Sequence, residues 1–170
     1  WPRWFADGTL DLDDNLVGRI AREDPLRAAL IWEGDDGEIR QWSYADLDLE
    51  VRRLATALTT LGIVRGDRVA LYLPMVPEAA VVLLAAARLG AIAMPLFSGY
   101  GADAVAGRLQ DSGARLMVCA DGYLRRGRQV NMLAEARAAA ASCSGLEHLV
   151  IVPRIGVHAA ASGSRWCEHD

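Results

Sequence analysis

Short apolar runs and segments with helical spacing alternate along the chain from residue 68 onward. The apolar runs predict buried strands, which lie at 68–73, 91–97, 115–120 and 148–152. The segments between them predict helices, at 77–89, 102–113 and 130–141. Strands that alternate with helices form right-handed βαβ units around a parallel sheet. The pattern therefore predicts an α/β fold, a parallel sheet with flanking helices, in which the strands follow the order of the chain.

The chain before this alternation has a different pattern. Residues 1–27 combine aromatic and acidic side chains without periodicity, which is typical of an extended arm packed on a larger body. Residues 28–33 and 38–43 flank the turn-forming sequence GDDG and predict a β-hairpin. At the other end of the chain, we expect residues 156–170 to form a loose tail without a closing element.

A single amphipathic helix is predicted between the hairpin and the alternating region. Ser43 has the position of its N-cap, and Asp46, three residues later, completes a capping box. Gly62 is the expected C-terminal stop. The apolar positions repeat at helical steps and share one face: they are Leu47, Val51, Leu54, Leu58 and Leu61.

The composition is consistent with this fold and argues against several classes of function. The chain has 170 residues, of which 52% are hydrophobic and 24% charged, and this suits one globular domain with a substantial core. A net charge of −4 argues against a nucleic-acid partner, which would favour a basic surplus. The longest apolar run, 79–87, is too short to cross a membrane. Because Cys119, Cys143 and Cys167 lack paired spacing, we expect a cytoplasmic protein.

Lysine is absent, so all 18 basic residues are arginine. The sequence therefore contains no Schiff-base lysine and no phosphate-loop lysine. Its histidines, His148, His158 and His169, show neither metal-ligand spacing nor a nucleophile partner. We accordingly predict no metal site and no catalytic residue within this sequence.

An arginine cluster follows the apolar run that ends at residue 120. In the sequence DGYLRRGRQ, Arg125, Arg126 and Arg128 surround Gly127. Ligands of open α/β sheets bind beyond the carboxyl ends of strands, arginine forks match phosphate oxygens, and glycine permits close approach. A solvated loop, or arginines paired with the protein's own acids, would give the same spacing. The spacing alone leaves the phosphate site and these structural alternatives open.

A glycine pattern offers a second candidate site. Gly99, Gly101 and Ala104 match the dinucleotide fingerprint G-x-G-x-x-A, and Asp121 follows at the distance of its ribose-binding acid. However, Pro95 interrupts the strand that should lead into such a turn. The sequence favours a tight strand-to-helix turn and keeps dinucleotide binding as the minor alternative.

Four stretches occur in a characteristic order: WFADGTLDLDDN, ALIWEGDDGEIRQWSYADL, LGIVRGDRVALYLPMVPEA and ARLGAIAMPLFSGYGADAVAGRLQDSGARLMVCADGYLRRGR. Together they resemble AMP-forming acetyl-CoA synthetase and its short- and medium-chain acyl-CoA synthetase relatives in the adenylate-forming superfamily. The resemblance runs from residue 1 to about residue 152. It implies that residues 1–42 are an acetyl-CoA-synthetase-type N-terminal segment and that residues 43–155 begin the large α/β AMP-binding domain.

The resemblance also implies a reaction. Enzymes of this family convert a carboxylic acid and ATP to an acyl-adenylate and pyrophosphate, and CoA then displaces AMP to give acyl-CoA. Mg²⁺ is expected with ATP but not within this span. Because the family's Ser/Thr/Gly-rich phosphate loop and adenylating lysine have no counterpart here, we expect an N-terminal fragment that is inactive alone. The alternatives are a free-standing doubly wound nucleotide-binding or interaction module and, less favoured, a dinucleotide-dependent oxidoreductase domain.

The resemblance places part of a CoA site in this sequence. The family's pair of phosphate-binding arginines falls on Arg125 and Arg128, with Arg126 and Gly127 between them. Its Phe-Gly-Gly turn beside the CoA adenine falls on Phe97-Ser98-Gly99, where serine replaces the first glycine. Pro95-Leu96, before this turn, departs from the valines usual in acetate enzymes and is closer to the broader acyl-CoA synthetases. The acid that the enzyme activates therefore stays open.

Overall fold

The computed structural model describes residues 2, 4, 6–156 and 167–169. A π-helical turn, Asp14–Gly18, precedes the first of its helices, which are α1 (Arg19–Glu23), α2 (Tyr44–Thr60), α3 (Pro77–Leu89), α4 (Ala102–Ser112) and α5 (Leu133–Ala141). Its strands are β1 (Ala28–Glu33), β2 (Ile39–Ser43), β3 (Arg68–Tyr72), β4 (Ile92–Leu96), β5 (Leu116–Ala120), β6 (Gly122–Arg125), β7 (Arg128–Asn131), β8 (His148–Val152) and β9 (Cys167–His169).

The central sheet has the strand order β4-β3-β5-β8-β9. Strands β4, β3, β5 and β8 are parallel to their neighbours, and helices flank them, so the predicted fold class is confirmed. The predicted chain order of the strands is wrong, because β4 and β5 lie on opposite sides of β3. Burial explains the arrangement: every residue of β5 is buried, which requires a neighbour on each side, whereas Pro95 suits β4 to an edge.

Helix α2 follows its predicted signals closely. The Ser43 hydroxyl accepts a hydrogen bond from the backbone N–H of Asp46 at 3.2 Å, and the Asp46 carboxylate accepts one from the N–H of Ser43 at 2.9 Å. Gly62, just beyond the helix, has the left-handed φ of 78° that a C-terminal stop requires. Four of the five predicted apolar positions are buried in the core, and Leu61 packs against it.

The N-terminal segment differs from the predicted extended arm. Residues 14–23 are helical, and Val17 on this segment is only 2% exposed. Arg88 on α3 donates a hydrogen bond from Nε to the Asp13 carboxylate at 2.6 Å. The segment folds because these tertiary contacts stabilise it, and a contact across 75 residues leaves no local periodicity in the sequence.

The prediction of a loose C-terminal tail is also corrected in part. Strand β9 pairs antiparallel with β8, so the segment that was predicted to lack a closing element extends the sheet. The edge of β8 offers unpaired backbone groups that a further strand can satisfy. The rest of the predicted loose tail, residues 157–166 and 170, lies outside the described residues. In the part of the chain that the structure describes, no helix has the length and apolar character needed to cross a membrane.

Candidate functional site

The arginine cluster forms a tight β-hairpin, which corrects the predicted loop and the helix start at residue 130. Strands β6 and β7 pair antiparallel, with Arg126 and Gly127 as the connecting residues. Both residues have positive φ, 51° and 72°, as a two-residue type I′ turn requires. Asn-Gly is the usual signal for such a turn, so Arg-Gly gave no local indication of it. We call β6, β7 and their turn the arginine hairpin.

The two arginines that flank the turn face each other across the arginine hairpin. Arg125 and Arg128 are cross-strand partners, so their side chains leave the same face of the ribbon. Like charges in this arrangement destabilise a hairpin unless an anion lies between or near them. The side chains of Arg125, Arg126 and Arg128 are exposed and form no ion pair with any described residue.

The phenylalanine turn, residues 97–100, follows directly on the edge strand β4. The N–H of Tyr100 donates to the carbonyl of Phe97 at 3.0 Å, which closes the turn, and the Tyr72 hydroxyl donates to the carbonyl of Tyr100 at 2.6 Å. The Phe97 ring meets Tyr100 edge to face at 5.5 Å and is 62% exposed. A Cβ on Gly99 would meet the Phe97 ring, so glycine at this position leaves room for it.

One cleft of about 360 Å³ joins these two elements. Phe97 and Ser98 line one side, and Tyr123, Leu124 and Arg125 line another. The structure therefore brings Phe97, Ser98 and Arg125 to a common space, as the CoA-site hypothesis requires. The other candidate residues, Gly99, Arg126, Gly127 and Arg128, are exposed nearby in the two turns and do not line the cleft.

The cleft has a third wall that the sequence did not indicate. Trp32 on β1 donates a hydrogen bond from Nε1 to the carbonyl of Met75 at 2.6 Å, and the Arg154 guanidinium lies 5.1 Å from its ring centre. Arg154 in turn binds Asp36 at 2.8 Å and Glu38 at 3.3 Å. The Arg154 hydrogen bond is the main reason that the pKa of Asp36 lies below its ordinary value. Arg154 and Asp36 are 118 residues apart, so no spacing in the sequence predicts their contact.

Asp121 argues against the dinucleotide alternative. Its side chain is completely buried at the end of β5, and its Oδ1 accepts hydrogen bonds from the N–H groups of Arg154 at 2.7 Å and Ile155 at 3.0 Å. A carboxylate engaged in this way holds the chain after β8 in place and is not available to a ribose hydroxyl. Gly99 also follows an edge strand of the described sheet rather than a central one.

The described residues contain no group of three or more His, Cys, Asp or Glu side chains arranged to hold a metal ion. What the cleft does offer is aromatic surface from Trp32, Phe97 and Tyr123 beside the guanidinium of Arg125. Aromatic faces bind flat rings, and unpaired guanidinium groups bind phosphates or carboxylates. The arrangement is therefore suited to a ligand that has both an aromatic ring and dense negative charge.

The chain is similar to known proteins over most of its length. A family model described as AMP-binding enzyme matches residues 18–164. The chain is 41% identical over 156 residues to acetyl-coenzyme A synthetase of Deinococcus radiodurans, and 44% identical over 157 residues to that of Cronobacter sakazakii. Each of these matches covers 91% of this chain.

A solved structure agrees with the sequence comparisons. Acetoacetyl-CoA synthetase from Streptomyces lividans superposes with a TM-score of 0.86 at 29% sequence identity, over 93% of this chain. The chain spans only 24% of the length of that protein and of the two acetyl-coenzyme A synthetases. Because the family model matches most of the sequence, the chain belongs to the AMP-binding enzyme family.

Proposed function

We propose that this chain forms part of the CoA site of an AMP-forming acid–CoA ligase. In this reaction a carboxylic acid and ATP give an acyl-adenylate and pyrophosphate, and CoA then displaces AMP to form acyl-CoA. Membership of the AMP-binding enzyme family supports the proposal, as do relatives named for acetyl-CoA and acetoacetyl-CoA synthesis. Carboxylic acid, ATP and CoA are the small-molecule partners that we propose, and the identity of the acid stays open.

The observation that carries the proposal is a pair of opposed arginines, Arg125 and Arg128, that form no ion pair with any described residue and of which Arg125 lines the cleft. Arg125 and Arg128 leave one face of the arginine hairpin, and Arg125 lines the same space as Phe97 and Ser98. CoA combines an adenine ring with a 3′-phosphate and a pyrophosphate. A guanidinium forms paired, charge-assisted hydrogen bonds with phosphate oxygens, and an aromatic ring packs on a base.

This span contributes binding rather than chemistry. The proposal divides it into an N-terminal segment, residues 1–42, and the first part of the AMP-binding domain, residues 43–155. The adenylating lysine is proposed to lie outside it, because the sequence contains no lysine. The ATP phosphates and Mg²⁺ are also proposed to bind outside it, because the family's phosphate loop has no counterpart here. The cytoplasm is the compartment that we propose, which the buried, free thiols of Cys119 and Cys143 support.

The test uses the complete product of the gene that contains this sequence. We expect Arg125→Ala or Arg128→Ala to raise the KM for CoA by roughly tenfold, since each removes charge-assisted bonds to phosphate. Acyl-adenylate formation precedes CoA binding and should be unchanged in ATP–pyrophosphate exchange. Arg137→Ala is the matched control, because Arg137 on α5 is also exposed but does not line the cleft.

Two results would contradict the proposal. One is a gene product that forms no acyl-adenylate and no acyl-CoA. The other is an equal loss of adenylation and CoA use in both variants, which would show that the arginine hairpin is structural. A KM for CoA that rises as much in Arg137→Ala would instead indicate a general effect of charge.

A further inference from the structure

The turn of the arginine hairpin is held by a residue from the other hairpin. Asp35 lies at the tip of the β1–β2 hairpin, and its Oδ2 accepts a hydrogen bond from the backbone N–H of Arg126 at 2.8 Å. The two residues are 91 positions apart in the chain. The contact joins a backbone group to an exposed carboxylate, so neither pairing of the arginine side chains nor burial accounts for it.

Arg126 is a residue whose backbone needs such support. It is the only described non-glycine residue with a positive φ, at 51°. The left-handed region places the Cβ of an ordinary residue close to the following carbonyl and is unfavourable. Arg126 and Gly127 together set the turn that places Arg125 opposite Arg128. A bond to the N–H of Arg126 therefore stabilises the feature that brings the two flanking arginines together.

Asp35 is itself presented from a fixed base. The β1–β2 hairpin is fastened to the α/β body by the Trp32 hydrogen bond to Met75 at 2.6 Å and by the Arg40 bond to Glu78 at 2.8 Å. Next to Asp35, Asp36 binds Arg154 at 2.8 Å. Contacts on both strands and at the tip limit the movement of the β1–β2 hairpin. Asp35 therefore contacts the turn of the arginine hairpin at a defined place.

From these contacts we infer that Asp35 is a positioning residue for CoA: it holds the turn of the arginine hairpin so that Arg125 and Arg128 are arranged for phosphate. The inference deepens the proposed function and rests on it. It also gives the β1–β2 hairpin a role in CoA binding beyond the wall that Trp32 contributes to the cleft. A purely electrostatic role for Asp35 would have the opposite sign, since a carboxylate near the cleft repels phosphate.

Two substitutions separate these roles in the complete gene product. Asp35→Ala removes the acceptor, and we expect the KM for CoA to rise roughly fivefold while ATP–pyrophosphate exchange stays unchanged. Asp35→Asn keeps an acceptor oxygen without the charge, so its KM should stay within about twofold of wild type. If charge repulsion dominates, both variants would lower the KM for CoA instead. Asp111→Ala is the matched control, because Asp111 is an exposed acid on α4 whose side chain forms no hydrogen bond or ion pair with a described residue, so its loss should leave this KM unchanged.

A second background tests the turn directly. Arg126→Asn supplies the residue most favoured before glycine in a type I′ turn, so the turn then needs less support from Asp35. We expect Asp35→Ala to change the KM for CoA by less than about twofold in the Arg126→Asn background, against roughly fivefold in the wild type. An equal change in both backgrounds would contradict a role through the turn.

The outcomes distinguish this inference from the proposed function. If Arg125→Ala raises the KM for CoA and Asp35→Ala does not, the inference is wrong and the CoA site stands. If neither variant changes that KM, or the gene product does not use CoA, the proposed function fails and the inference fails with it. If Asp35→Ala lowers adenylation and CoA use together, Asp35 supports the fold in general and is not a positioning residue for CoA.

Discussion

Arginines of the sheet body and arginines of the arginine hairpin have opposite surroundings. In the body, Arg115 binds Asp67 at 2.6 Å and Glu147 at 2.7 Å, so one guanidinium links the start of β5 to two loops. In the hairpin, Arg125, Arg126 and Arg128 have no ion pair with any described residue, although the chain contains 22 acids. The same residue type is therefore a structural cross-link in one region and an unsatisfied cation in the other.

This contrast between the two groups of arginines indicates where a ligand would bind. An arginine with its acids in place lowers the energy of the folded chain and has little left to offer a phosphate. Opposed arginines whose guanidinium groups form no ion pair with a described acid repel each other and leave those groups available to an anion. Substitutions in the first group should mainly change stability, and substitutions in the second group should mainly change ligand binding.

We expect the largest effect in adenylation, a reaction in which neither group of arginines takes part. We expect the 170-residue chain, expressed alone, to show no ATP–pyrophosphate exchange above background with short carboxylic acids, because it contains no lysine and no counterpart of the phosphate loop. The complete gene product should catalyse the exchange. Turnover by the 170-residue chain would show that groups within this span carry out adenylation.

A large effect on stability is expected from Arg88 in the body. Arg88 binds Asp13 at 2.6 Å and Asp48 at 2.9 Å, and Asp13 is buried with its Oδ1 unpartnered among the described residues. Arg88→Ala leaves this carboxylate without its cation, so we expect the free energy of unfolding to fall by about 2 kcal/mol, less than for a fully buried pair. Denaturant unfolding measures this loss, and an unchanged midpoint would contradict it. The KM for CoA should not change at a temperature where the variant is folded.

The pH dependence of that loss has a defined sign. Burial raises the pKa of Asp13 above its ordinary value of 3.8, even with Arg88 beside it. A raised carboxyl pKa contributes stability that is fully present below the ordinary value and is lost as the pH rises through the raised value. Removal of Arg88 raises the pKa further, so the destabilisation should be larger at neutral pH than in acid. A loss that is constant between pH 4 and 8 would contradict this account of Asp13.

The two regions also differ in how far the sequence predicted them. Alternating apolar runs, the Ser43–Asp46 capping box and the turn sequence at 34–37 are local signals, and they predicted the parallel strands, α2 and the first hairpin correctly, though not the order of the strands in the sheet. The candidate arginines were singled out by their position after a predicted strand, and only the resemblance assigned them to CoA. Their β-hairpin forms by local pairing around Arg-Gly, which is not a usual turn signal, and the Asp35 hydrogen bond to this turn spans 91 residues. Local patterns predict elements because backbone and burial preferences repeat along the chain, whereas long-range polar contacts do not.

A smaller effect is expected from the turn glycine of the arginine hairpin. Gly127 has a φ of 72° and open space where a Cβ would lie, so Gly127→Ala adds backbone strain of about 1 kcal/mol without a clash. We expect the KM for CoA to rise roughly twofold as the turn loosens. Gly66→Ala is the matched control, since Gly66 has a φ of 87° and equal space in the loop before β3. Equal KM changes in both variants would remove the special role of the hairpin turn.

A comparison of two ligands tests directly whether the two opposed arginines bind CoA. Calorimetric titration of the complete gene product should show that CoA binds more tightly than dephospho-CoA, which lacks the 3′-phosphate. We predict that either Arg125→Ala or Arg128→Ala abolishes most of this preference, while Arg137→Ala retains it, because one hairpin guanidinium binds that phosphate. If both hairpin variants keep the affinity and the preference of the wild type, Arg125 and Arg128 are solvated surface groups and not a CoA site.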